Sequence, residues 1–162
     1  MEFPILSETH GAGIKIIGVG DAGGNVLNEM IRQKSHGVTF IAVNTEKSAL
    51  MNSLAEQRIL IGKNLAEDSG AGANPHAVRQ AALADIAEIK TAVSGTDMVI
   101  IVAGMGGGTG SGAAPVIARA ARETGVLTVG VVSRPSSFEG KKRMKIAEDG
   151  IEEMFAHADS VV

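Results

Sequence analysis

The 162-residue sequence contains no cysteine, tryptophan or tyrosine, and aromatic residues make up only 2% of it. The lack of cysteine excludes disulfides, thiolate catalysis and cysteine-ligated zinc. The four histidines are scattered with no i, i+4 pair, so we assign no metal-ligating residue to this chain. Because large aromatic side chains are scarce, we expect a core of Ile, Val, Leu, Ala and Met.

The chain also lacks a strong charge of either sign, since its net charge is −3 at pH 7. This balance provides no global basic field for nucleic acid. No apolar run approaches the roughly 20 residues that a membrane span needs, and the first residues do not resemble a signal peptide. We expect a cytoplasmic protein without nucleic-acid partners or direct membrane insertion. Its predicted organisation is a flexible leader over residues 1–13 and one domain over residues 14–162.

Two hydrophobic periods alternate along the domain. Short apolar runs predict strands at residues 14–19, 39–43, 58–61, 98–103 and 127–133. Spacings of three and four residues predict helical faces made of Val26, Leu27, Met30 and Ile31; of Val78, Ala82, Ile86, Ile89 and Val93; and of Met144, Ala147, Ile151, Met154 and Phe155. This alternation predicts an α/β fold, a doubly wound and mostly parallel Rossmann-like sheet with helices on both faces.

Glycine-dense segments follow the predicted strands or precede the predicted helices. They are GVGDAGGN (18–25), GAGANP (70–75), AGMGGGTGSGAAP (103–115) and RPSSFEGKKR (134–143). Open parallel sheets bind ligands beyond the carboxyl ends of their strands, and free amides at helix N-termini bind anions. We therefore expect these loops to converge on a site for a ligand with several phosphates.

The residues alone leave the phosphate ligand open. Gly18, Gly20 and Gly23 fit the G-x-G-x-x-G pattern of dinucleotide-binding folds, although close helix–strand packing would also explain glycine there. The acidic residue that would bind a ribose is missing from the end of the second strand, which weakens the case for an NAD-binding domain but leaves it as an alternative. A Walker phosphate loop is excluded because its lysine-containing sequence does not occur. Asn74 followed by Pro75 fits a helix N-cap as well as it fits a ligand-binding loop.

Five segments together resemble a known family. GVGDAGGN, FIAVNT, GAGANP, GMGGGTGSG and FEGKKRM are similar, in order and spacing, to the nucleotide-binding half of the tubulin/FtsZ family of GTPases, from about Ile14 onward. The resemblance implies GTP or GDP as ligand, with Mg²⁺ held mainly through phosphates and water. It also implies FtsZ-type subunits as partners, in GTP-dependent filaments that act in cell division at the division site.

The resemblance further implies which residues bind the nucleotide. Residues 21–25 would form the first phosphate loop, 71–74 would sense the γ-phosphate, and 106–110 would cradle the β and γ phosphates, with a hydroxyl donor at Thr109. Glu139 would accept from the ribose hydroxyls. The whole implied set is Gly20, Asp21, Ala22, Gly23, Gly24, Asn25, Asn44, Thr45, Ala71, Gly72, Ala73, Asn74, Gly106, Gly107, Gly108, Thr109, Gly110, Pro135, Glu139 and Arg143.

Two departures from the family pattern bear on activity. Asp21 and Ala22 interrupt the glycine run usual in the first loop, and a carboxylate beside phosphates repels them, which lowers the expected affinity. The sequence ends at Val162 as a sixth strand begins, before the family's base-recognising segment, central helix, acidic loop and C-terminal domain. We therefore assign no catalytic residue and expect little or no GTP hydrolysis by this chain alone. The alternative is a hydrolysis-deficient interaction protein that modulates full-length FtsZ-type subunits.

Overall fold

Strands and helices alternate along residues 12–63 and 74–162, the part of the chain that the computed structural model describes. In chain order they are β1 (Ile14–Val19), α1 (Gly20–Arg32), β2 (Val38–Asn44), α2 (Lys47–Met51), β3 (Gln57–Leu60), α3 (Pro75–Ala84), α4 (Ile86–Val93), β4 (Met98–Gly104), α5 (Gly108–Glu123), β5 (Leu127–Ser133), a 3₁₀ helix (Ser137–Glu139), α6 (Lys141–His157) and β6 (Ser160–Val161). Most of the predicted leader, and Ala71, Gly72 and Ala73 of the predicted γ-phosphate loop, lie outside the described residues.

The strands form one six-stranded sheet in the order β3-β2-β1-β4-β5-β6. Every strand pair in it is parallel. The central strand β1 places Ile17 between Ile41 of β2 and Ile101 of β4. The strand order reverses at this point, which is where open α/β sheets bind ligands. The predicted doubly wound sheet and the sixth strand are confirmed.

Helices cover both faces of the sheet. Alternate residues of each strand point to opposite sides, so both faces carry apolar side chains that the helices bury. On one face Ile17 and Ile101 pack in a core that includes Ile117 of α5. On the other face Phe40 packs in a second core with Leu27 of α1. The predicted aliphatic core is therefore present as two layers. No helix in the described ranges is long and apolar enough to cross a membrane.

The structure differs from the predicted helical faces in three details. The five residues predicted on one face from Val78 to Val93 do pack in one core, but they belong to two helices, α3 and α4. Asp85 lies between these helices, and its carboxylate accepts a hydrogen bond from the amide of Gly62 at 2.9 Å. Val26 and Phe155, predicted on the buried faces of α1 and α6, are 44% and 62% exposed, whereas their neighbours Leu27 and Met154 are fully buried. Successive helical residues are rotated by about 100°, so the predicted apolar stripe was one residue too wide.

Part of the second sheet face is uncovered by the described residues. Leu127 and Val131 of β5 are 46% and 39% exposed, and Val162 beyond β6 is exposed as well. The register pairs these β5 side chains with Met98 and Val102 of β4, on the face where α1 covers the other end of the sheet. The result is an apolar strip open to solvent along β5.

Candidate functional site

A cleft of about 340 Å³ opens at the carboxyl end of the sheet. Its walls are the ends of β1, β2, β4 and β5 and the segments that follow them, as the fold class predicts. The predicted site residues that line it are Gly20, Asp21, Ala22, Asn44, Gly107, Gly108, Thr109, Gly110, Pro135, Glu139 and Arg143. Tertiary folding thus brings residues from four distant segments of the sequence to one place.

Two of the predicted residues line a neighbouring cleft instead. Gly24 and Asn25 face a space of about 380 Å³ between α1 and α2, and Asp21 and Asn44 form a border common to both clefts. Residues 21–25 form the beginning of α1 and not a loop, so the predicted loop conformation is wrong, while their contact with phosphate stays a prediction. The structure divides its members between two sides of the Asp21–Asn44 border.

Packing and capping account for three further predicted residues without any ligand. A Cβ on Gly23 would lie 2.3 Å from the carbonyl oxygen of Val102, so glycine there lets α1 approach the sheet. Gly106 has a φ of +103°, and its amide donates to the Ser111 hydroxyl at 2.9 Å. Asn74 caps α3 through its side-chain oxygen, with Pro75 at the first helical position. The N-cap interpretation of Asn74 is confirmed.

Two long helices begin at the cleft. α1 starts at Gly20 and α5 starts at Gly108, and neither preceding residue makes a side-chain cap hydrogen bond. The first amides of a helix have no acceptor within the helix, and the helix dipole adds positive potential there. The two N-termini therefore direct unpaired N–H groups and partial positive charge at the same cleft. This is an arrangement suited to an anion.

The glycines around the start of α5 have different reasons. A Cβ on Gly110 would lie 2.1 Å from the Gly104 carbonyl oxygen, and one on Gly112 would lie 2.4 Å from that of Pro75, so both permit close packing. Gly107 has no described heavy atom within 4 Å of such a Cβ, and its φ of −97° is open to any residue. Neither packing nor backbone strain explains Gly107. Gly107 is the N-cap residue of α5, a position where glycine is favoured over alanine, and it lines the cleft wall.

A buried pair of hydroxyls joins β2 to α5. The Oγ1 atoms of Thr45 and Thr109 are 2.9 Å apart, and either can donate to the other. Both side chains are buried, and Thr109 also lines the cleft. The hydroxyl that accepts in this pair retains its own proton, so the pair can still donate one hydrogen bond outward.

The opposite wall carries an exposed ion pair. Glu139 accepts from the amide of Ser136 at 2.9 Å in a capping box, and its second oxygen lies 3.1 Å from the guanidinium of Arg143. The Arg143 side chain is more than half exposed, so this pair contributes little to stability. The guanidinium can therefore exchange its carboxylate partner for a ligand anion at small cost.

Several cleft residues were not among the predicted set. They are Val19, Glu46, Gly104, Met105, Ser133 and Arg134. Each lies at, or within two residues of, the carboxyl end of a strand, so strand position was the signal that could have identified them. With these included, the charged side chains on the cleft wall are three carboxylates and two guanidinium groups. Within residues 12–63 and 74–162, no three acidic or histidine side chains come together to hold a metal.

The model of the tubulin/FtsZ family, GTPase domain, matches residues 13–162 of this chain. The chain belongs to the tubulin/FtsZ family. This confirms the resemblance carried by the glycine-rich segments and argues against the NAD-binding alternative. Because the match reaches from the start of β1 to the last residue, it includes every wall of the cleft.

Curated relatives and solved structures agree with this assignment. The tubulin/FtsZ-family chain is 49% identical to the cell division protein FtsZ of Buchnera aphidicola (subsp. Schizaphis graminum), over 99% of this chain and 42% of that protein. It is 50% identical to FtsZ of Pseudomonas aeruginosa, over 92% of this chain and 38% of that protein. The chain spans less than half the length of these relatives.

Solved structures of relatives share the fold. An empty FtsZ dimer from M. jannaschii superposes with a TM-score of 0.89 at 42% identity, over 93% of this chain and 44% of that one. The GDP-bound CetZ1 monomer from Haloferax volcanii gives a TM-score of 0.82 at 30% identity, over 92% and 49% of the two chains. The fold and family of this FtsZ-type GTPase domain are therefore established by independent comparisons.

Proposed function

We propose that the cleft binds GTP or GDP, with the phosphates on the amides at the starts of α1 and α5. The observation that carries this proposal is the meeting of two uncapped helix N-termini on one cleft, in a domain of a GTPase family. Gly107 supports it further, because an added Cβ there would meet nothing but open space. When Thr45 donates within the hydroxyl pair, Thr109 keeps its own proton and adds a hydroxyl donor for the ligand.

The proposed ligand extends from the phosphates toward the 3₁₀ helix. The Glu139 carboxylate has lone pairs beyond those used by Ser136 and Arg143, so it can accept from ribose hydroxyls. Pro135 would form the adjoining wall, and Arg143 would face the negative charge of the phosphates. Gly24, Asn25 and the 71–74 loop remain predicted contacts.

Mg²⁺ fits the charge balance of this cleft. The carboxylates of Asp21, Glu46 and Glu139 outnumber the guanidinium groups of Arg134 and Arg143, so the phosphates add to an excess of negative charge. A divalent cation held by the phosphates and water would neutralise part of that charge. Mg²⁺ prefers several waters to a full set of protein ligands, so the proposed ion needs no dedicated cluster of side chains.

Hydrolysis requires an oriented water that attacks the γ-phosphorus while the bond to the β–γ bridging oxygen breaks. We propose that this chain alone turns over GTP slowly or not at all, and that a neighbouring FtsZ-type subunit completes the site. Two of the three carboxylates on the wall are already engaged, since Asp21 accepts from Asn44 and Glu139 pairs with Arg143. These two carboxylates therefore already have hydrogen-bond or ion-pair partners within the chain.

The proposed partners are FtsZ-type subunits, either copies of this chain or full-length relatives, in cytoplasmic filaments that act at the division site. The names of the curated relatives, "Cell division protein FtsZ", support the process. The M. jannaschii FtsZ structure is a dimer, which supports association between like subunits. An interaction protein that modulates full-length subunits without hydrolysis is the second candidate. Asp21 favours it, because a carboxylate occupies the phosphate cleft.

A calorimetric titration with GTP, GDP, ATP and NAD in the presence of Mg²⁺ tests the proposal. Selective micromolar binding of GTP and GDP is the expected result, and no binding of any of the four would overturn it. Arg143→Gln should weaken binding of GTP. Arg32→Gln is a matched control, because it also removes an exposed arginine paired with a glutamate one turn away, but at the far end of α1.

Slow turnover is tested by release of phosphate. This chain alone should release almost none, and addition of a full-length FtsZ relative should raise the rate if a subunit contact completes the site. Rapid release by the purified chain would contradict the partner-completed mechanism. Unchanged release with the relative present, despite nucleotide binding, would favour the interaction protein.

A further inference from the structure

Asp21 occupies the position in the cleft where an anion is expected. It lies in the first turn of α1, it is exposed, and it lines the same cleft as Gly108 and Thr109. One of its carboxylate oxygens accepts a hydrogen bond from the Asn44 side-chain nitrogen at 2.9 Å. The negative charge therefore lies where the α1 dipole is most favourable to it.

The hydrogen-bond donor that Asp21 uses is held in place. Asn44 is only 5% exposed at the end of β2, and its side-chain oxygen accepts from the Glu46 amide at 3.1 Å. That bond fixes which side of the amide group faces the cleft, so the NH₂ group is directed at Asp21. A neutral or absent side chain at position 21 would leave this N–H donor facing the cleft.

We propose that Asp21 is an internal competitor for the α1 side of the phosphate cleft. Its carboxylate takes up the Asn44 donor and the positive end of α1, which an incoming phosphate would otherwise use. The proposal rests on the nucleotide-binding function proposed above and adds a determinant of ligand charge to it. Asp21 lowers affinity more for triphosphates than for monophosphates, and divalent cations relieve that penalty.

The charge dependence follows from electrostatics. A fixed carboxylate repels each further negative charge on the ligand, and the repulsion is stronger in a partly enclosed cleft than in bulk water. Mg²⁺ bound to the phosphates cancels most of that charge, and added salt screens what remains. A penalty that came only from lost space would depend on neither Mg²⁺ nor salt.

Asp21→Asn is the first test, because it keeps the shape and removes the charge. Affinities for GTP, GDP and GMP are measured by calorimetry, first with a chelator present and then with Mg²⁺. Without Mg²⁺ we expect GTP to bind about tenfold tighter to the variant than to the original chain, with a smaller gain for GDP and almost none for GMP. Mg²⁺ or added potassium chloride should reduce the gain for GTP to about threefold or less.

Two further variants make the result specific. Asp21→Ser is a second neutral side chain suited to a helix start, and it should reproduce the gain. Glu29→Gln removes one negative charge from the other end of α1, away from the cleft, and should change no affinity. Thermal unfolding of each variant checks that the fold is retained.

The outcomes separate this inference from the proposed function. If neither the original chain nor the Asp21 variants bind nucleotide, the function itself is overturned. If all bind GTP equally under every condition, the function stands and the competitor role is overturned. An equal gain for GTP and GMP that salt leaves unchanged would also overturn it, because the effect would then be steric.

Discussion

The side-chain hydroxyls of Thr45 and Thr109 lie 2.9 Å apart and tie the end of β2 to the first turn of α5. The two residues are 64 positions apart in the sequence, yet both are buried beside the candidate phosphate cleft. The pair therefore has two separable roles. It satisfies two buried polar groups, and it holds a potential ligand donor at the start of α5.

Valine substitutions separate these roles. Thr109→Val should destabilise the fold by about 1–3 kcal/mol, because it leaves the Thr45 hydroxyl buried without its partner. The double variant Thr45→Val with Thr109→Val removes both polar groups and should recover most of that stability. If Thr109 also donates to the ligand, the stable double variant still binds GTP more weakly than the original chain. Urea unfolding and calorimetry on the same samples check both points, and unchanged affinity would remove Thr109 from the site.

Alanine substitutions at Gly107 and at Gly110 should affect different properties, GTP affinity at Gly107 and stability at Gly110. Gly110→Ala would place a Cβ 2.1 Å from the backbone oxygen of Gly104, so it should destabilise the fold by about 2 kcal/mol or more. Gly107→Ala meets no described atom and should leave stability within about 0.5 kcal/mol of the original. The same Gly107→Ala should reduce GTP affinity, because its methyl group enters the cleft. Equal destabilisation by both variants would show that the assigned packing is incorrect.

Glu123 should make stability depend on pH in the acid range. Its carboxylate accepts from Lys90 of α4 at 2.7 Å and from Arg119 at 2.8 Å, which lowers its pKa from 4.5 to about 2. Since the folded pKa is the lower one, the stabilisation is complete above about pH 4.5 and is lost as the pH falls toward 2. Glu123→Gln should therefore flatten the decline of unfolding free energy over that interval.

Glu88→Gln is the control for the acid-range prediction, because Glu88 forms no ion pair with the described residues. Urea unfolding at several pH values between 2 and 7 measures both variants against the original chain. The effect is expected to be small, because these side chains are substantially exposed. An identical decline for Glu123→Gln and the original chain would contradict the assignment.

The exposed strip of β5 should promote self-association. Leu127 and Val131 offer apolar surface on a sheet face that the described residues leave open. Val131→Lys should lower the association seen in concentration-dependent light scattering, with little loss of stability, because the side chain already contacts solvent. Gln33→Lys adds the same charge at an exposed site after α1 and controls for net charge. Equal effects of both variants would indicate a charge effect instead of a specific apolar strip.

Local patterns were enough to predict most of the fold. Strands buried on both faces are apolar at nearly every position, and helices repeat every three to four residues, so their order along the chain was readable. The order in turn predicted where the loops would meet, because parallel strands end at one edge of the sheet. That rule placed segments 103–115 and 134–143 at the cleft, whereas the family resemblance singled out Gly107–Gly110, Pro135 and Arg143 within them.

The role of each glycine could not be read in the same way. Glycine at 23 and 110 is required by carbonyl oxygens of β4, whereas Gly24 and Gly107 meet nothing. All four stand in the same kind of glycine-rich segment. Only the positions of α1 and α5 against the sheet distinguish packing glycines from those that leave the clefts open.

The sequence by itself determined the element order, the aliphatic layers and the edge of the sheet that carries the site, because these depend on periodicity and on the geometry of parallel strands. The tertiary structure alone decided that Asp21 meets Asn44, that Thr45 meets Thr109, and that Phe155 faces solvent. The physical reason is that the paired residues are far apart in the sequence, and that the exposure of a helical side chain depends on its angle around the helix axis. A hydrogen bond between two strand-to-helix junctions forms only when helix packing brings them within about 3 Å, and no local pattern encodes that approach.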